Sequence, residues 1–400
     1  MLALGDSSRM RFLRDDPAAT RKPDSSGAEP LWLHYNIHDL VRVRTNVDDF
    51  DFPNYFLVKT ARPNFEIRLV DRIDLPPVDD ARRVGFATFE LGNGELLHEC
   101  DVPLLYLAGS KHRWRTLVRG LDRDPTTIAT AVPFFRAVPI RAKAVQMLSR
   151  MVRLVMTLKL LGRGFAPFHA SSVANDGDAL LFFGYGWTGK STVVGEMVRA
   201  GLHFMSDDYS IVDGKGRVYC YPDWHDPHAS RLEMPILKYL RVTTAGFRRA
   251  RDRISRVVKE ADVHSISFLE KGPDEVVEID RDEAARRISL INLEELSKLW
   301  NSPLSQIVSQ YSYFYPNFNL GRLAERYKSI AMSLADRAEH CNVIRSQSPR
   351  FDVVKRLVSR RTAGPSDMTV AQHLPGEGLA PSDSPRLVPG RGPTGGESLR

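Results

Sequence analysis

The chain has 400 residues, of which 42% are hydrophobic and 9% aromatic; this apolar content supports a packed core and excludes a wholly disordered chain. Because the length exceeds one average domain, we expect a core of roughly 330 residues in one or two domains, flanked by tails. A net charge of +7 at pH 7 weakly favours an anionic ligand or partner.

Cysteine usage and the lack of long apolar runs indicate a cellular location. The three cysteines, Cys100, Cys220 and Cys341, are far apart and in no metal-ligand spacing, which suits a reducing cytoplasm. The first residues lack the apolar core of a signal peptide, and no apolar run reaches the length of a membrane span. We therefore expect a cytoplasmic protein without a membrane span, as a monomer or an oligomer.

Composition divides the chain into four parts. Residues 1–29 are rich in Ser, Asp, Arg, Gly and Pro, which predicts a disordered tail. Over residues 30–139, short apolar stretches alternate with turn signals, which predicts a small, mainly antiparallel β domain. Residues 140–361 are expected to form a second domain, and the Ala, Gly, Pro and Ser of 362–400 predict another disordered tail.

Patterns in the second domain predict alternating helices and strands. A helix over 140–161 leads to a hairpin made of strands 168–173 and 179–183 around a turn at 175–178. The elements expected after it are a helix that ends at Gly201, a strand over 202–205, a hairpin around 214–216, a strand over 266–269, and helices over 283–300 and 320–338.

Between strand 179–183 and the following helix, residues 184–191 read GYGWTGKS and match the Walker A pattern G-x-x-x-x-G-K-[ST]. The backbone N–H groups of such a loop and the helix N-terminus form a concave anion site. Lys190 would reach the β- and γ-phosphates of a nucleotide, and the hydroxyl of Ser191 would bind magnesium. The candidate nucleoside triphosphate and Mg²⁺ site is therefore Gly184, Gly186, Trp187, Thr188, Gly189, Lys190, Ser191 and Thr192; the three glycines can take positive φ and admit phosphate closely.

Two adjacent aspartates, Asp207 and Asp208, follow the next predicted strand. One carboxylate there can hold magnesium while the other accepts a hydroxyl proton; the alternative is an acidic turn or helix cap. His169 lies one hairpin from the loop, although a lone histidine at a strand edge is more often structural than catalytic.

Three other segments carry weaker signals. The basic stretch from Arg241 to Lys259 is either a solvated helical face or a mobile lid that touches phosphate or an acidic partner. Nucleic-acid binding there is disfavoured, because only Phe247 interleaves with the arginines. His225 and His228 lie beside Asp223 and Asp226, but no further Cys or His completes a tetrahedral set, so we do not predict zinc.

In order and spacing, His169, the phosphate loop and the Asp207-Asp208 pair resemble the core of HPr kinase/phosphorylase and its stand-alone relatives. The resemblance is specific over 169–209 and extends less closely over 165–359, including Ser230-Arg231-Leu232, the strand from Ile266 to Glu270 and the sequence from Asn342 to Arg345. The N-terminal domain does not share it. The Glu-x-Arg-Gly signature of the bifunctional enzymes is absent, which argues against phosphorolysis and against HPr as substrate.

The resemblance implies a P-loop fold of the phosphoenolpyruvate-carboxykinase-like type, with a mixed sheet, and implies ATP and magnesium as cofactors. It also implies roles: Lys190 and Ser191 bind phosphates and magnesium, Asp207 accepts the proton, Asp208 binds the metal, and His169 lies near the base.

We therefore expect an α/β protein with an α+β mixed sheet that acts as an ATP-dependent kinase. It would transfer the γ-phosphoryl group to a serine-type hydroxyl of a peptide or a small molecule. The alternative is a nucleotide-binding switch or scaffold without phosphotransfer. The second aspartate favours the kinase, because a switch needs a metal-binding aspartate but no carboxylate for a proton.

Overall fold

The computed structural model describes residues 32–47, 50, 52–73, 81–103, 111–134, 138–223, 257–300 and 305–347. All of them belong to one compact unit, Met1–Val354; a second unit, Lys355–Arg400, contains none of them. Four predictions fall outside the described residues: the disordered tails 1–29 and 362–400, the loop containing His225 and His228, and most of the segment from Arg241 to Lys259.

The N-terminal part of the described chain forms a first sheet of nine strands. They are β1 Leu33–Ile37, β2 Val41–Thr45, β3 Leu57–Val58, β4 Phe65–Val70, β5 Arg82–Arg83, β6 Thr88–Gly92, β7 Glu95–Pro103, β8 Lys111–Arg119 and β9 Thr126–Ala131. Their order is β3-β1-β2-β4-β9-β8-β7-β6-β5, antiparallel except where β4 pairs with β2 and β9. In β2, buried Val41, Val43 and Thr45 alternate with partly exposed arginines, the period of a half-buried strand.

A second sheet of nine strands follows within the described residues. They are β10 Phe165–Phe168, β11 Ala170–Asn175, β12 Asp178–Phe183, β13 His203–Ser206, β14 Ser210–Asp213, β15 Arg217–Tyr219, β16 Glu260–Glu270, β17 Glu275–Glu278 and β18 His340–Arg345. The order is β10-β14-β15-β16-β12-β11-β13, and β18 pairs with β16 and β17. Because β16 is parallel to β12 and β18 while the other pairs are antiparallel, this sheet is also mixed.

Five α-helices complete the described structure: α1 Val138–Gly162, α2 Lys190–Arg199, α3 Arg281–Trp300, α4 Gln306–Phe314 and α5 Leu320–Arg337. They confirm the helices predicted over 140–161, after the loop, over 283–300 and over 320–338; α4 was not predicted. Among the described helices, none combines the length and apolar character needed to cross a membrane.

Helix α1 links the two sheets. It contacts β2 of the first sheet, β10 of the second, and helices α3 and α5. Its buried Leu148 and Val152 belong to a core cluster with the first sheet, whereas Leu161 near its end belongs to a cluster with the second sheet, α3 and α5. The protein is thus of mixed α+β class, with two mixed sheets packed on shared helices.

The structure corrects one predicted strand. The run 168–173 is two strands, because β10 ends at Phe168 and β11 begins at Ala170. β10 pairs with β14, whereas β11 pairs with β12 and β13. The chain therefore changes neighbours at His169, which belongs to neither strand.

Candidate functional site

One edge of the second sheet collects the sequence-predicted residues. β11 is antiparallel to its neighbours on both sides: its first residue, Ala170, pairs with Phe183 at the end of β12, and Ser172 pairs with Ser206 at the end of β13. The residue before β11 and the residues after β12 and β13 consequently leave the sheet at the same edge. These are His169, Gly184 and Asp207.

The loop after β12 leads directly into α2, as predicted. Gly189 is the N-cap at φ 103°, and no side chain caps the helix. The N–H groups of the first helical turn, from Lys190 to Thr192, therefore have no acceptor within the helix or from a capping side chain, which is the condition for an anion site. Trp187 in this loop also has positive φ, 67°, and is 98% exposed.

The three loop glycines do not share one role. Of the three, only Gly189 takes positive φ. Gly184 is required by close approach, since a Cβ there would lie 2.6 Å from Oγ1 of Thr188. That hydroxyl donates to the carbonyl oxygen of Tyr185 at 2.8 Å, so this part of the loop is held by its own side chain.

Lys190 lies inside the loop and is only 7% exposed. Its Nζ donates to the carbonyl oxygen of Gly184 at 2.6 Å and of Tyr185 at 3.2 Å, and to Nε2 of His169 at 3.0 Å. Burial lowers the pKa of Lys190, against the opposing effect of the nearby charges of Asp208, Glu295 and Asp207. The amine is thus held near the carboxylates, inside the 184–191 loop.

His169 is mostly buried, and its Nε2 accepts the hydrogen bond from Lys190. Burial first, and then the charge of Lys190, hold the pKa of His169 below its usual value, so the imidazole is neutral at neutral pH. A neutral ring that accepts at Nε2 carries its proton on Nδ1. That Nδ1 is buried without a hydrogen-bond partner among the described residues.

The two aspartates differ in burial. Asp207 is fully buried, and Oγ of Ser171 on β11 donates to its main-chain oxygen and lies 3.3 Å from its Oδ1. Asp208 is partly exposed, and its charge acts on both Lys190 and His169. The pair therefore offers one carboxylate enclosed by the sheet and one at its surface.

Helix α3 adds residues that the sequence analysis missed. Oδ1 of Asn292 accepts a hydrogen bond from the backbone N–H of His169 at 2.7 Å. Nδ2 of Asn292 donates to the carbonyl oxygen of Ile288 at 2.7 Å. One turn later, Oε1 of Glu295 lies 3.9 Å from Nε2 of His169 and 2.6 Å from Nζ of Lys298. The available signal was an amide on an apolar helical face, where Asn292 is 2% exposed beside buried Ile288 and Ile291.

Comparison with known proteins adds no relative: neither the protein-family models nor the curated proteins searched contain a match to this chain. The site must therefore be interpreted from its own geometry. That geometry brings together Lys190, His169, Asp207 and Asp208 beside the uncapped start of α2, where Ser191 and Thr192 stand. His225 and His228 lie outside the described residues.

Proposed function

We propose that the protein is an ATP-dependent kinase that phosphorylates a serine-type hydroxyl. One observation carries the proposal: a glycine-bearing loop and a buried lysine lie at the start of an uncapped helix, at the sheet edge where an aspartate pair follows the next strand. A phosphate site alone would suit many nucleotide-binding proteins. The adjacent carboxylates and the neutral histidine favour phosphoryl transfer to a hydroxyl.

The residues present fit a nucleoside triphosphate with its magnesium ion. The first-turn N–H groups of α2 lack a capping side chain, and the loop is open at Gly186, where a Cβ would meet no heavy atom within 4 Å. Lys190 would exchange its loop carbonyl contacts for phosphate oxygens, Ser191 and Asp208 would hold magnesium, and the loop from Gly184 to Thr192 would surround the phosphates. When bound, Mg-ATP supplies the phosphoryl group.

The residues of this chain then have separate tasks. Asp207 would take the proton of the acceptor hydroxyl at a carboxylate oxygen, held in place by Ser171. Lys190 would be oriented by neutral His169, whose backbone is fixed by Asn292. Because the imidazole is neutral, it accepts from the lysine without adding positive charge, and Glu295 balances the lysine from α3. The antiparallel strand β11 between β12 and β13 supports a P-loop core of the phosphoenolpyruvate-carboxykinase-like type rather than a doubly wound sheet.

The test is an assay of phosphoryl transfer. The protein is incubated with labelled ATP, magnesium and either free serine or serine-containing peptides, and transfer is measured as a one-phosphate increase in the mass of the acceptor. Asp207→Asn should still bind ATP in calorimetry while transfer is abolished, and Asp208→Asn should weaken the magnesium dependence of ATP binding. Transfer by Asp207→Asn at the rate of the unmodified protein would show that this carboxylate is not the base.

A second arm separates the phosphate site from the chemistry. Lys190→Ala should weaken ATP binding, whereas Lys215→Ala, at an exposed turn of the β14–β15 hairpin, should leave it unchanged. Equal affinity of the two variants for ATP would contradict the proposed phosphate site. Tight ATP binding with no transfer to any acceptor would instead favour the nucleotide-dependent switch or scaffold.

A further inference from the structure

A second cluster of ligand-type side chains lies at the opposite edge of the second sheet, where β12 and β18 begin on either side of β16. It consists of His264, Glu339 and His340, with Asp178 beside them. The five residue steps of β12 from Asp178 to Phe183 separate this edge from the phosphate loop by roughly 16 Å. The cluster is therefore distinct from the proposed kinase site.

Strand register explains how residues distant in sequence meet here. β16 and β18 are parallel, with Ser265 opposite His340, which places the preceding residues, His264 and Glu339, next to each other. The backbone N–H of Glu339 donates to the carbonyl oxygen of His264 at 2.9 Å. The start of β18 is thus fixed against β16 at the cluster.

A β-bulge also falls on His264. In the pairing of β12 with β16, Ala179 is opposite Val263 and Leu180 is opposite Ser265, so His264 is the extra residue. A bulge redirects a side chain away from its regular alternation. This local irregularity lets His264 approach His340, although regular pairing would point the two side chains to opposite faces; their rings lie 5.7 Å apart between centroids.

The donor atoms converge. One ligand atom each from His264, Glu339 and His340 lie within 4.8 Å of one another. Nδ1 of His264 is 3.4 Å from Oε2 of Glu339 and 3.9 Å from Oδ2 of Asp178. Ligands at about 2.0–2.1 Å from a tetrahedral zinc ion are roughly 3.3–3.4 Å apart. The side chains of Glu339 and Asp178 are 67% and 59% exposed, so they can adjust by rotation.

We propose that His264, Glu339 and His340 bind a divalent transition-metal ion of the zinc class, with Asp178 or water as fourth ligand. Two imidazoles and a carboxylate form a donor set that zinc prefers. Ions that favour oxygen ligands alone, such as magnesium, do not prefer this set. The ion would join β16 to β18, and with Asp178 as a ligand it would also join the β11–β12 hairpin to them. It would thereby stabilise the second sheet at the end opposite the 184–191 loop.

The alternative is a solvent-exposed ion pair between protonated His264 and the two carboxylates. An ion pair would not need His340 and would respond to salt, whereas a metal site needs both histidines and is stable to moderate salt. The proposal also stands apart from the proposed kinase activity, because metal binding can be measured without any turnover.

The test is equilibrium binding of Zn²⁺ to the full chain, freed of metal by chelation, and visible absorption of bound Co²⁺ as a reporter of tetrahedral coordination. We expect one tight site. His264→Ala and His340→Ala should each weaken zinc binding by at least about 100-fold, because loss of a direct ligand should cost at least as much as loss of an outer-shell partner, which costs up to about 100-fold. Asp178→Ala should weaken zinc binding by less.

His203→Ala is the matched control, since His203 is a half-buried histidine at the start of another strand of the same sheet and should leave zinc affinity unchanged. Circular dichroism of the metal-free variants checks that each remains folded. If the chain binds no zinc, or if both His264→Ala and His340→Ala bind it as tightly as the unmodified chain, the site proposed here does not exist.

Discussion

Two glycines of the 184–191 loop differ in how much room surrounds them. A Cβ at Gly184 would lie 2.6 Å from Oγ1 of Thr188 and 3.0 Å from the carbonyl oxygen of Leu269 on β16. A Cβ at Gly186 would have no heavy atom within 4 Å, and φ there lies outside the left-handed region. The loop is therefore packed against β16 at its first glycine and open at its second.

Gly184→Ala is expected to lower the free energy of unfolding by about 1–3 kcal/mol, because the added methyl group overpacks a filled space. Gly186→Ala is the matched control and should change it by no more than about 0.5 kcal/mol. Urea denaturation of both variants measures the difference. Equal losses would contradict the contacts around Gly184.

The secondary-structure elements that depend on residues close together in the sequence were predictable from the sequence. The apolar run of β12, the Walker A spacing and the helical pattern of α2 are all local signals. The end of α2 is also set by local residues, since Gly201 takes φ 105°. The N–H of Gly201 donates to the carbonyl oxygen of Val198, and the N–H of Leu202 donates to that of Met197. These are the hydrogen bonds of a Schellman motif. The strand, loop, helix and helix end were therefore all predicted.

Features that depend on distant partners were not predictable. Nothing in the sequence of 168–173 marks a break, because the change at His169 is a change of neighbouring strand. The bulge at His264 likewise exists only relative to β12. Asn292 is an ordinary helical residue until β11 brings the backbone N–H of His169 to it. α4 lies in a stretch that the periodicity analysis did not resolve as a helix.

At the end of β16, Glu270 joins three elements. Its oxygens lie 2.5 Å from Nη1 of Arg287 on α3 and 3.0 Å from Nε of Arg345 on β18. Burial by itself would raise the pKa of Glu270, but the hydrogen bonds and charges of both arginines outweigh it and hold the pKa below its ordinary value of 4.5. The ionised carboxylate therefore stabilises the fold above that ordinary value, and this stability is lost as pH falls through the lower folded-state pKa.

Glu270→Gln should lower the free energy of unfolding at pH 7 by no more than about 1 kcal/mol, since the group is partly exposed and screened. The difference from the unmodified protein should shrink as pH falls below 4.5, the ordinary value, and should vanish below the lower folded-state pKa, where both proteins carry a neutral side chain. Urea denaturation at low salt across an acid series measures this. Glu325→Gln, at an exposed site on α5, is the control; a difference at Glu270 that does not vary with pH would contradict the ion-pair explanation.

On the scale of the whole molecule, α1 contacts both sheets. The composition predicted a β domain over 30–139 and a separate domain from 140 onward. The buried face of α1, which starts the second of these segments, shares one core cluster with β2, β4 and β9 of the first sheet and with Ile211 of β14. Such a shared core favours cooperative unfolding of both sheets, because opening either one exposes the same helix face.

Leu148→Ala tests this coupling, because Leu148 is fully buried in that shared cluster. The substitution should lower the free energy of unfolding by about 2–5 kcal/mol, the cost of a large-to-small change in a core. Native-state hydrogen exchange should show faster global exchange in β8 and β12 to the same extent, whereas Gln146→Ala on the exposed side of α1 should leave both unchanged. Acceleration confined to one sheet would instead show that the two sheets unfold as separate domains with α1 belonging to only one of them.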